Sequence, residues 1–71
     1  MSELSFAALE RIMRKAGAQR VSAAAIEALA QALEEYGLAL STEAAALARH
    51  AGRKTVKRED VRLATHHVKS G

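Results

Sequence analysis

The 71-residue sequence has no cysteine, no proline and no tryptophan, and its only aromatic residues are Phe6 and Tyr36. Without cysteine there is no disulfide to staple a small core and no thiolate to hold a structural metal, so the chain suits a reducing cytosol. Few aromatics and many alanines leave each core side chain little area to bury. Long apolar runs are missing too. Nothing approaches the length that crosses a bilayer, and the start, MSELSFAALERIMRKAG, lacks the basic-then-apolar order and cleavage site of a signal peptide. These absences predict one soluble domain, residues 1–71, with no membrane partner. So short a chain leaves much apolar surface near water, and oligomerisation is the expected remedy.

What is present is charge, unevenly placed. A net charge of +3 is too modest to identify a partner, so the distribution has to carry the argument. Arg11, Arg14, Lys15 and Arg20 form a segment without an acid, and Val21 to Ala48 holds Glu27, Glu34, Glu35 and Glu43 without a cation. Arg49, Arg53, Lys54, Lys57 and Arg58 then follow without an acid. A charge run by itself is commonly just a solvated face, so its place in the fold decides what it means.

Apolar spacing predicts three helices. Ser5 suits an N-cap, with Phe6, Leu9, Ile12, Met13 and Ala16 recurring at helical spacing until Gly17, which tolerates the left-handed conformation that closes helices. Ser22 suits a second N-cap. Ile26, Leu29, Ala30, Leu33, Tyr36, Gly37, Leu40, Ala44, Leu47, Ala48 and Ala51 then continue one stripe to about His50, and Gly52 closes it. At ~1.5 Å per residue such a helix is roughly 43 Å long. Gly37 is a weak point within it, which suggests a close approach by another group. Glu59 and Asp60 suit the positive start of a third helix, Val61, Leu63, Ala64 and Val68 its apolar positions, and Lys69 its negative end. Thr55 and Val56 favour extended geometry and could pair with the equally short Arg20–Val21 segment.

Two short helices cannot cover one long helix, so a second copy is expected to cross it near Gly37. Head-to-tail pairing would then set the loop GAQRV of one chain beside the loop AGRKTVK of the other and make a cationic patch at each end. Helix-start amides, the Thr55 hydroxyl and the cations Arg53, Lys54 and Lys57 are donor types that bind phosphate oxygens.

The segments RIMRKAGAQRVS, ALEEYG, EAAALARHAGRKTVKREDV and RLA resemble the archaeal histones over almost the whole chain. The resemblance implies an all-α histone fold paired as a handshake homodimer. Such a dimer would bind double-stranded DNA with little sequence preference, bend it, and multimerise as tetramers or longer arrays to wrap and compact the chromosome in the cytoplasmic nucleoid. It further implies that Arg20 enters the minor groove, as histone octamers insert arginine where that groove faces inward. Arg11, Arg14 and Ser22 would then lie near phosphates, and Arg53, Lys54, Thr55 and Lys57 would form the second contact surface. By the same resemblance, Leu47, His50, Asp60 and Leu63 would join dimers, with His50 and Asp60 pairing between them. Arg53 would pair with Asp60 within a chain, and Gly17, Glu35 and Arg49 would stack successive turns. The chain departs from the family in lacking its early proline, Ser5-Phe6-Ala7-Ala8 standing there, and in ending THHVKSG rather than on basic residues.

Competing readings have less support. Ser, His and Asp residues are scattered and no Gly-rich phosphate loop exists, so no enzyme, cofactor or small-molecule substrate is expected. Adjacent His66 and His67 point in different directions on a helix, which reads as a solvated tail and not as a metal site. A sequence-reading repressor would need cations on its recognition helix, and the long helix has none up to Ala48. The remaining alternative is a histone-fold interaction subunit of a transcription-related complex that needs a different partner chain.

Overall fold

The computed structural model describes residues 4–70; the outermost residues of the expected domain, 1–3 and 71, lie outside them. Three helices follow one another: α1 (Phe6–Lys15), α2 (Ala23–His50) and α3 (Arg58–Ser70). Two compact units divide between Glu35 and Tyr36, inside α2.

The first unit holds α1 and the start of α2. Ser5 has extended backbone and its Oγ accepts a hydrogen bond from the Ala8 amide at 3.2 Å, satisfying one donor the helix leaves unpaired. α1 stops through a left-handed Gly17 (φ 109°): the Gly17 amide donates to the Arg14 carbonyl at 3.0 Å and the Ala18 amide to the Met13 carbonyl at 3.1 Å. Ser22 then caps α2, accepting from the Ala25 amide at 3.1 Å. The core of this unit is Leu9 (3% exposed), Ile26 (2%) and Ala30, with Met13, Val21 and Leu29 packed around it.

Only part of the expected α1 stripe is inside. Leu9 is buried and Met13 half-buried, whereas Phe6, Ile12 and Ala16 stay exposed. One helix lying on another covers a narrow strip, so apolar residues one position off that strip face outward.

The second unit holds the rest of α2 with α3. α2 ends as α1 did: Gly52 (φ 75°) donates to the Arg49 carbonyl and the Arg53 amide to the Ala48 carbonyl, both at 2.9 Å. Its buried apolar residues are all alanine, namely Ala44, Ala48 and Ala64. Of the expected α3 stripe, Ala64 is buried and Val68 half-buried, while Val61 and Leu63 are exposed. A groove of about 320 Å³ runs past Gly37, Leu40, Ser41, Ala44, Val56 and Val61. Apart from its chain neighbours and the adjoining backbone of α2, no described atom lies within 4 Å of the position a Gly37 Cβ would take, so the close approach expected there is not made by the described residues.

Among the described residues there is no strand, and neither Arg20–Val21 nor Thr55–Val56 pairs as one. Two-residue segments have no ladder to join within their own units. Among the same residues, no helix is long and apolar enough to cross a membrane.

Candidate nucleic-acid interface

The first loop, Ala16 to Ser22, exposes its cation at the start of α2. Arg20 is exposed and has no hydrogen-bond or ion-pair partner among the described residues, and the same holds for Arg11 and Lys15. Arg20 lines an open hollow of about 490 Å³ with Met13, Ala18, Val21, Ser22 and Ala25. Ser22 accepts from the Ala25 amide, which leaves its hydroxyl proton free to donate outward. No acid occupies the first turn of α2, so the positive end of the helix is not neutralised from within. An arginine, a hydroxyl and a helix start side by side are what a phosphate oxygen requires.

Arg14 is placed differently. Its Nη2 meets Glu10 Oε2 at 2.9 Å and its Nη1 donates to the Gln19 carbonyl at 3.0 Å. Gly17 is exposed at the loop's turn, and Glu35 accepts a bond from Gln31 Nε2 at 3.2 Å, one turn earlier on α2.

The second loop, Ala51 to Lys57, is organised around Asp60. Arg53 Nη1 donates to Asp60 Oδ2 and Nη2 to Oδ1, both at 2.9 Å, and Nη1 also donates to the Thr55 carbonyl at 2.9 Å. The Lys57 amide donates to Asp60 Oδ2 at 2.8 Å, so the acid in the first turn of α3 reaches back to satisfy the residue before the helix. Asp60 is 5% exposed. The Arg53 hydrogen bonds, then the Lys57 amide, hold its carboxyl well below the ordinary value, at about 2, and the Asp60 hydrogen bond raises Arg53 in turn. Lys54, Thr55 and Lys57 are exposed, and neither lysine ammonium has a partner among the described residues.

The structure thus brings Arg53 and Asp60 together and leaves Lys54, Lys57 and Arg49 open. His50 and Leu63 are exposed and Leu47 is half-buried. Asp60 is the enclosed member of the set expected to join dimers. A carboxylate offers about four acceptor positions, and the two Arg53 bonds with the Lys57 bond leave room for one more.

Two contacts escaped the sequence reading. His67 is not a solvated tail: its Nδ1 lies 2.7 Å from Glu43 Oε2 and ties α3 to α2. These residues are 24 apart in sequence, and no local pattern signals such a pair. The Glu10–Arg14 pair did leave a signal, the spacing of one helical turn, but the Gln19 carbonyl that completes it did not. Among the described residues, no group of three or more His, Cys, Asp or Glu gathers where it could hold a metal ion.

Helices of short, long, short order, joined by glycine-closed loops that expose unpaired cations, define a histone-fold protein built to meet a polyanion. Residues 2–65 match the family described as histone-like transcription factor (CBF/NF-Y) and archaeal histone, and the chain belongs to that family. It is 59% identical over 64 residues to an archaeal histone HAN1 subunit of Thermococcus zilligii, covering 90% of this chain and 96% of that one. It is 55% identical over 64 residues to probable archaeal histone 3 of Methanocaldococcus jannaschii, with the same coverage of each. The chain is a DNA-binding architectural protein of the all-α histone fold.

Proposed function

We infer that residues 1–71 act as one histone-fold domain that pairs with a second copy as a handshake homodimer and then bends and wraps duplex DNA. What supports pairing is the apolar surface a single chain leaves uncovered: Phe6 and Ile12 in the first unit, and Val56 and Val61 beside the Gly37 groove in the second. Phe6 and Ile12 are each about half exposed, far more than a finished core tolerates. The observation that carries DNA contact is the unpaired Arg20 beside the Ser22 hydroxyl and a start of α2 that has no acid in its first turn. Arg11, Lys54, Thr55 and Lys57 extend that contact along the backbone, while Arg53 contributes by holding its loop in place.

In this reading dimers join through Leu47, His50 and Leu63, with the last acceptor position of Asp60 open to a His50 from the next dimer. Gly17, Glu35 and Arg49 line the contact between successive turns. The protein acts on the nucleoid as a structural component, without catalysis or a cofactor, and its base preference follows the bendability of the DNA.

Limited nuclease digestion of random-sequence duplex loaded with the protein tests this. A regular ladder of protected fragments is the expected result and supports joining of successive dimers. A single short length would restrict the reading to isolated bending dimers. Absence of protection at low salt would overturn it and leave the subunit that requires a different partner chain.

A further inference from the structure

Two arginines, Arg14 near the end of α1 and Arg53 in the second loop, share one arrangement. Arg53 grips a loop carbonyl, that of Thr55, together with a carboxylate, Asp60. Arg14 likewise grips a loop carbonyl, that of Gln19, together with a carboxylate, Glu10. Resting on the DNA-binding reading above, we propose that Arg14 is a positioning residue and not a phosphate contact: with Glu10 it clasps the Gln19 carbonyl and so sets the direction in which Arg20 points.

The backbone bonds in the loop make the case. Gly17 and Ala18 are tied to the end of α1 by their amides, and Ser22 is tied into α2 by its carbonyl and hydroxyl. Between them, among the described residues, Gln19, Arg20 and Val21 take part in a single hydrogen bond, the one from Arg14 to the Gln19 carbonyl. The residue that carries the contact therefore sits between Val21, packed against the core, and the one hydrogen bond that holds its stretch of chain. A surface ion pair such as Glu10–Arg14 contributes little stability by itself. Here it fixes the guanidinium so that the planar fork can address the carbonyl, a geometry a lysine ammonium would not hold.

Glu10 is where this proposal departs from simple charge counting. If Arg14 were an ordinary phosphate contact, removing a neighbouring acid would strengthen DNA binding. If Arg14 is a clasp, removing the acid loosens the loop and weakens it.

The test is the affinity for one random-sequence duplex, measured over a salt series with the wild-type protein, Glu10→Gln, Arg14→Lys, Arg20→Ala and the Glu10→Gln/Arg20→Ala double variant. Loss of one hydrogen bond's worth of positioning predicts a weakening of about fivefold for Glu10→Gln and for Arg14→Lys. The thermal midpoint and the slope of log affinity against log salt should both stay at their wild-type values. In the Arg20→Ala background the Glu10→Gln effect should vanish, which a general loss of structure would not produce. Equal or tighter binding by Glu10→Gln, or a slope steeper by about one phosphate contact, would overturn the clasp while leaving the DNA-binding reading intact. Failure of the wild-type protein to bind at low salt would overturn that reading, and the clasp with it.

Discussion

The two units reach order by different means. The first buries Leu9 and Ile26, and a fully buried side chain of that size stabilises by about 1.5–3 kcal/mol. The second buries Ala44, Ala48 and Ala64, each contributing about 0.8 kcal/mol on the same scale. Where apolar area is ample, the loop can be held by one exposed arginine. Where the core is alanine, the loop is locked by three bonds converging on a nearly enclosed Asp60. A thin core thus shifts the work of holding a functional loop from burial to directional polar contacts.

Four changes test that contrast. Ile26→Ala should have the largest effect, about 2–5 kcal/mol lost through a cavity the first unit cannot close, read from the denaturant midpoint. A loss well under 1 kcal/mol would mean that the core of this unit is not what holds it. In the second unit the opposite change is the damaging one. Ala64→Leu should cost about 1–3 kcal/mol by overpacking, and a stabilised variant would show unfilled space around Ala64.

Acid separates the units next. Because the folded state depresses the Asp60 carboxyl from 3.8 to about 2, its contribution is fully present above the ordinary value and is lost as pH falls through about 2. The Lys57 amide proton, which donates to that carboxylate, should shift with a midpoint near the depressed value while first-unit amides do not follow. A midpoint at 3.8 would mean that the Arg53 brace is absent in solution. The smallest effect belongs to His67→Ala. Loss of its contact with Glu43 should cost roughly 0.2–1 kcal/mol, visible as faster amide exchange in the last turns of α3 and unchanged exchange in α1. Equal changes in both would place the effect outside the Glu43 contact.

Caps and breaks were the most legible features. Ser5, Ser22, Gly17 and Gly52 do their work within a few residues of where they stand, so their types and positions suffice to mark the helix ends. Glu59 and Asp60 were equally visible as acids at a helix start, because the dipole and the first-turn amides are local. Much less could be read of burial. The α1 stripe names a face, but Phe6 and Ile12 satisfy the same spacing as Leu9 and remain exposed.

Among the candidate contacts, Arg20, Lys54 and Lys57 are open where sequence reasoning put them, since a cation on a short loop has few ways to be covered. Arg14 and Arg53 are not open, and the reason differs. Arg53 was expected to meet Asp60 through family resemblance, whereas the Gln19 carbonyl is a backbone group that every sequence possesses and none advertises.

The helices, their ends, the sign and place of the charges and the family are all legible along the chain. Each of these depends on neighbours within a turn or two, or on identity along the chain. Folding settled which apolar residues are covered, that Asp60 is nearly buried and takes the Lys57 amide besides Arg53, that His67 meets Glu43, and that Arg14 reaches the Gln19 carbonyl. Those outcomes depend on distances between side chains and backbone atoms that folding alone brings together, and spacing along the chain does not encode them one residue at a time.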